Sequence, residues 1–245
     1  MTWLRSALFN GFFFGFTATY SALLLPLLLL PRRWLLTPTR LWAGMIILML
    51  RLLCGIRLRV TGREHLPPKG GAALIAAKHQ SAFDTVVWLW LLPDAAYVLK
   101  RELLDIPFWG WLARGTGMIP VDRLAGSSAM RHLRRAGQAA AAEGRQMVIF
   151  PEGTRVAPGE QRPYQPGVAA LAAATGLPVL PVATDSGLLW GRRAFQKRPG
   201  TITVAVLPPL PAGLRRDILL RRLEEAIEPA TRLLLQRSAV DSFVD

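Results

Sequence analysis

Ala72-Ala73-Leu74-Ile75-Ala76-Ala77-Lys78-His79-Gln80-Ser81-Ala82-Phe83-Asp84 is the stretch on which the reading of this chain turns. Its first six residues are uniformly apolar, as in a strand buried on both faces, and the turn cluster Pro67-Pro68-Lys69-Gly70-Gly71 precedes them. Residues 83–92 then read as a helix. A buried strand that feeds a helix through a short polar turn is the unit of a parallel α/β sheet. Reactive residues in such sheets collect in the loops at the carboxyl ends of the strands.

The turn itself carries chemistry. On one continuous helix His79 and Asp84 would point about 500° apart, on different faces. A strand-to-helix turn lets Asp84 sit in the first helical turn while His79 points back toward it from the loop. The carboxylate could then accept from Nδ1–H and leave Nε2 as a base, which is two members of a serine-hydrolase triad. Taken alone, the two residues also fit an ordinary helix start, with Asp84 facing the helix dipole. The third triad member is missing, because the chain has no Gly-x-Ser-x-Gly elbow and its one cysteine, Cys54, lies beside an apolar run. A base without a protein nucleophile suggests that the substrate brings the hydroxyl. Backbone N–H groups at the helix start are the natural oxyanion donors.

Outward from this stretch, strand patterns recur at 56–60, 95–99, 118–121, 147–150, 179–182 and 201–207, with helical patterns at 126–143, 167–175 and 214–236. The expected fold is α/β, a mostly parallel central sheet flanked by helices, occupying residues 56–245. Residues 1–55 differ. Positions 6–30 contain no charged side chain, and a helix of that length reaches roughly 37 Å against the ~30 Å hydrocarbon core. A second apolar run, 41–56, is interrupted only by Arg51. Two membrane-associated helices are expected, either one spanning and one interfacial or both dipping into one leaflet, with Pro26 kinking the first. A cleaved signal peptide fits poorly, since only Arg5 precedes a run that is too long. The charges around the first run, Arg5 before it and Arg32, Arg33 and Arg40 after it, do not fix orientation.

The chain of 245 residues carries 30 Lys+Arg against 16 Asp+Glu, a net charge of +14, and a mean hydropathy of +0.29. Only Lys69, Lys78, Lys100 and Lys197 are lysines; the other basic residues are Arg. One cysteine excludes an intrachain disulfide, and with three histidines a metal site built from imidazoles is not expected. A non-catalytic basic protein that binds a membrane surface or nucleic acid would need a cationic stripe with stacking aromatics, whereas here Arg is scattered and Tyr numbers three.

Three further clusters follow the histidine loop in order: Gly117-Met118-Ile119-Pro120-Val121-Asp122-Arg123, Phe150-Pro151-Glu152-Gly153-Thr154-Arg155, and Val179-Leu180-Pro181-Val182. The second places a carboxylate, a flexible glycine, a hydroxyl and a guanidinium at a strand end, and the planar Arg fork suits phosphate. His79-x-x-x-x-Asp84 followed by these three clusters resembles the 1-acylglycerol-3-phosphate acyltransferase family, over about residues 55–210. Many members carry Asn before the histidine, where this chain has Lys78.

The resemblance implies acyl transfer from an acyl thioester, coenzyme A or acyl carrier protein, to the 2-hydroxyl of lysophosphatidic acid. It implies no cofactor, no covalent acyl-enzyme, membrane lipids as partners and no specific nucleic acid. The setting it implies is a bacterial inner membrane with the catalytic domain facing the cytoplasm. Carried over by position, His79 is the general base and Asp84 orients it. Arg123, Glu152, Gly153, Thr154 and Arg155 resemble the acceptor-phosphate site, and Lys100 a basic position near the substrates. Another lyso-lipid, such as a lyso-ornithine lipid, is the alternative acceptor. Trp88, Trp90, Phe108, Trp109 and Trp111 are candidates for an acyl-chain groove, for helix core or for interfacial anchoring.

Overall fold

The computed structural model describes residues 1–68 and 70–241; Lys69, the last four residues and the side chains of Arg123 and residues 239–241 lie outside the description. Among these residues seven strands form one sheet: β1 (Ile56–Thr61), β2 (Ala73–Ala77), β3 (Ala95–Lys100), β4 (Ile119–Val121), β5 (Gln146–Ile149), β6 (Val179–Thr184) and β7 (Gly200–Val206), in the order β1-β7-β6-β2-β5-β3-β4. The pairs β6/β2, β2/β5, β5/β3 and β3/β4 are parallel. At β6/β7 the direction reverses, and β1 follows β7 in parallel. Thr184 and Gly200 are joined without a long crossover helix, a connection that an antiparallel pair allows.

Among the described residues eight α-helices accompany the strands: α1 (Thr2–Leu24), α2 (Arg33–Cys54), α3 (Phe83–Leu91), α4 (Trp109–Gly115), α5 (Gly126–Ala142), α6 (Gly167–Thr175), α7 (Ser186–Leu189) and α8 (Arg216–Asp241). Alternation along the strands divides the core in two. Ile75, Ala77 and Val148 face one side and pack with Trp42, Ile46 and Leu50 of α2 and Phe83, Val87 and Trp88 of α3. Leu74, Ala76, Met147 and Ile149 face the other, against Leu133 of α5, Val168 and Leu171 of α6, and Leu219, Leu223 and Ile227 of α8. Spacings of four put the α8 residues on one stripe.

The N-terminal helices therefore form part of a layer on the sheet. Both are long and apolar enough to cross a membrane by composition. Pro26 ends α1 without ending the helical run, which continues as a tighter 3₁₀ turn over Leu25–Leu29. The second helix begins at Arg33, earlier than the apolar run suggests, and has Pro38 inside it. The pair is fastened to the sheet domain near both of its ends. Close to the N-terminus, the backbone N–H of Lys197 donates to Ser6 Oγ at 2.9 Å. At the turn between the helices, Arg32 donates to Asp94 Oδ1 at 2.6 Å.

Candidate active site

Because β2 lies between β6 and β5 and all three run the same way, their carboxyl ends deliver three loops to one place. From β2 comes the histidine loop, from β5 residues 150–155, and from β6 Asp185 and Ser186. His79 Nδ1 lies 3.1 Å from Asp84 Oδ2. That oxygen also receives the backbone N–H groups of Gln80 at 2.7 Å and Ser81 at 2.8 Å, while Oδ1 accepts from Ser186 Oγ at 2.6 Å. A carboxylate with this many donors acts as an acceptor, so the imidazole donates from Nδ1 and the lone pair resides on Nε2. The imidazole ring lies on Phe150 with centroids 3.9 Å apart. This contact follows from the pleat, since both residues continue the alternation on the α1–α3 side.

Several expectations change with the geometry. Four of the amides around the start of α3 are already engaged, because Gln80 and Ser81 give theirs to Asp84, Phe83 donates to Ser81 Oγ and Thr85 to Ala82 O. Glu152 does not face outward as a phosphate contact would. It is buried, its Oε1 lies 2.9 Å from Lys78 Nζ, and its Oε2 accepts the backbone N–H of His79 at 3.2 Å. Burial pushes its carboxyl up from an ordinary 4.5 to about 7, against the opposing pull of the Lys78 ammonium. Lys100, at the end of β3, pairs with Glu102 at 2.9 Å and is half exposed, two strands away from β2. The backbone of Arg123 opens a short 3₁₀ turn after β4, and its side chain lies outside the described residues.

The residues 150–153 form a turn in which the Gly153 N–H donates to Phe150 O at 2.9 Å. Pro151 follows the first residue, and Gly153, at φ 68°, takes the left-handed conformation that glycine adopts without strain. Thr154 and Arg155 follow, partly exposed, and Val156 N–H donates to His79 O at 2.8 Å, closing the loop against the histidine. The five aromatics do not line one groove. Trp88 is in the core, Trp90 lies over Gly44 of α2, and Phe108 and Trp111 form an exposed edge-to-face pair.

Four residues at or beside the site escaped the sequence reading. Ser186 bonds to the side of Asp84 away from the imidazole, which makes it a brace for the carboxylate and not a nucleophile. Gly187 next to it donates to Gln80 Oε1 at 3.1 Å, and a Cβ there would stand 2.9 Å from Gln80 Cβ. Arg192 donates to the Arg155 carbonyl at 3.3 Å and adds a second exposed guanidinium beside the loop. Asp185, whose carboxyl burial pushes up, accepts from Thr203 N–H and Ser238 Oγ and ties β7 and α8 to the end of β6.

A family model described as acyltransferase matches residues 57–185, more than half of the chain. The chain belongs to the acyltransferase family. Among curated acyltransferases, it is 37% identical over 171 residues to the 1-acyl-sn-glycerol-3-phosphate acyltransferase of Pseudomonas aeruginosa, covering 70% of this chain and 66% of that protein. It is 31% identical over 160 residues to the protein of that name from Limnanthes alba, covering 64% and 56%. The chain thus spans just under two thirds of the first of these acyltransferases and little more than half of the second. The crystal structure of the 1-acyl-sn-glycerophosphate (LPA) acyltransferase from Thermotoga maritima has the same fold, with a TM-score of 0.78, 23% identity and coverage of 96% of this chain and 98% of that one.

Proposed function

We propose that this acyltransferase moves an acyl group from an acyl thioester, acyl-CoA or acyl carrier protein, to the 2-hydroxyl of lysophosphatidic acid, giving phosphatidic acid. The observation that carries the reading is an imidazole held through Nδ1 by a fully bonded carboxylate, with Nε2 left as the base. Among the described residues the imidazole ring is bonded to Asp84 and to no hydroxyl or thiol, which supports the acceptor's own alcohol as the nucleophile. The names of the curated relatives support this acceptor.

In the reaction, Nε2 takes the proton of the 2-hydroxyl as its oxygen bonds to the thioester carbonyl carbon. The tetrahedral intermediate then expels sulfur, the carbon–sulfur bond breaks, and the imidazolium returns the proton to the departing thiolate. No acyl-enzyme forms. Asp84 holds the imidazole and stabilises its cationic form. Arg155, with Gly153 and Thr154 in the same turn, binds the acceptor phosphate together with Arg123. Glu152 braces this turn instead of touching phosphate. The outer face of α1 lies in lipid and holds the enzyme at the surface where its acceptor resides, in the inner membrane of a bacterium with the sheet domain in the cytoplasm.

Purified enzyme assayed with lysophosphatidic acid and either donor, with mass spectrometry of the product, tests the assignment. His79→Ala should lose about 10²–10⁴-fold in turnover while remaining folded. A His79→Ala enzyme with full activity would falsify the base. Arg155→Ala should raise the KM for lysophosphatidic acid and leave an acceptor without phosphate unaffected. A lyso-ornithine lipid used in preference to lysophosphatidic acid would reassign the acceptor.

A further inference from the structure

We infer that Glu228, on the C-terminal helix α8, is a positioning residue for His79, acting through Lys78 and Glu152. The inference rests on the proposed role of His79 as base. Alternation along β2 sends adjacent side chains to opposite faces of the sheet, His79 toward Phe150 and Lys78 toward α8. There the Lys78 ammonium donates to Glu228 Oε1 at 2.7 Å and Oε2 at 2.9 Å, and it stands 2.9 Å from Glu152 Oε1. Tyr164 orients Glu228 by donating its hydroxyl to Oε1 at 2.8 Å. Lys78, Glu152, Glu228 and Tyr164 are all buried.

The chain of contacts ends on the base. Lys78 still donates its backbone N–H to Val182 O on β6, but His79 has left the ladder, and its N–H is held by Glu152 Oε2. The position of Glu152 depends on Lys78, and the ammonium is held from the far side by both oxygens of Glu228. A buried ion cluster resists the loss of one member because the remaining charges are then unpaired out of water. Glu228 lies beyond residues 57–185, the stretch that the family model matches. Removing it should therefore disturb the placement of the imidazole without altering a group that touches either substrate.

The test is Glu228→Ala and Glu228→Gln in the full-length enzyme, with kcat, both KM values and the histidine ring signals of carbon-13-labelled protein. With three histidines, the His79 signal is assigned by its loss in His79→Ala. Glu228→Ala is expected to lower kcat at least tenfold with both KM values within twofold, and to shift the His79 signals while those of His65 and His132 stay in place. Glu228→Gln keeps only one of the two hydrogen bonds to Lys78, through its amide oxygen, and removes the charge, so it should lower kcat less than Glu228→Ala does. A folded Glu228→Ala enzyme with wild-type kcat, or with unmoved His79 signals, overturns the inference. Should Glu228→Ala not fold, Tyr164→Phe removes only the hydroxyl that orients Glu228. A two- to fivefold loss of kcat with shifted His79 signals is then expected, and unmoved signals overturn the inference. If the wild-type enzyme acylates no lyso-lipid, the functional reading fails separately, and the ring signals still decide the coupling.

Discussion

Raising the pH from 5 to 8 should destabilise the wild-type protein more than a Glu152→Gln variant. The Glu152 carboxyl is pushed to about 7 in the fold against an ordinary value of 4.5 in the unfolded chain. Between these values the folded state holds more protons than the unfolded one, so stability falls as pH rises. The contribution is complete below 4.5 and is lost as pH passes through 7. A difference of roughly 2.5 pH units at 1.36 kcal/mol each sets its size at about 3 kcal/mol, most of it between pH 5 and pH 8. For a chain of this size that corresponds to a fall of about 6–12 °C in Tm relative to the variant. Thermal unfolding of both proteins in detergent, followed by tryptophan fluorescence at pH 5, 6, 7 and 8, reads the difference directly, since the other titrating groups are common to both. Parallel curves, or a wild type that gains stability relative to the variant, would refute the argument that Glu152 is held in a low-polarity site beside Lys78.

Three further outcomes follow from the same geometry. Ser186→Ala removes the hydroxyl that braces Asp84 Oδ1, and a charge-assisted bond worth about 1.5–3 kcal/mol predicts a loss of roughly tenfold or more in kcat with little change in either KM. Gly187→Ala drives a Cβ to 2.8 Å from Pro158 Cγ and 2.9 Å from Gln80 Cβ, so Tm and turnover should fall together in steady-state and melting measurements. Lys197→Met strips the ammonium from its contacts with Asn10, the Phe195 carbonyl and the rings of Phe9 and Trp190. Limited proteolysis should then cut α1 faster than in wild type, at a stability cost of about 1–3 kcal/mol.

The parts of the fold visible in the sequence were those set by local patterning. Runs such as 72–77 and 179–182 are apolar because central parallel strands are buried on both faces, and the strands at both places extend close to those bounds. The His79–Asp84 pairing was legible for a related reason, since five residues across one turn leave few geometries. Features that depend on distant partners were not. The reversal of β7 against β6 leaves no trace in period-two alternation, and the short helix α4 has too few residues to show a stripe. Ser186 meets a carboxylate 102 positions away and Glu228 an ammonium 150 positions away, separations over which residue type alone carries no pairing information. Glu152 was carried to the phosphate site by position alone, and its buried counter-ion Lys78, 74 residues earlier, is a partner that position does not reveal.

The long helices are fastened through Ser6 to Lys197 at one extremity and through Arg32 to Asp94 at the other. Two such ties restrain the hairpin against the sheet. With the outer face of α1 in lipid, as proposed, these two ties set how far the imidazole stands from that surface. On the proposed function, the reach of the lipid alcohol toward that level then helps to decide which hydroxyl meets the base.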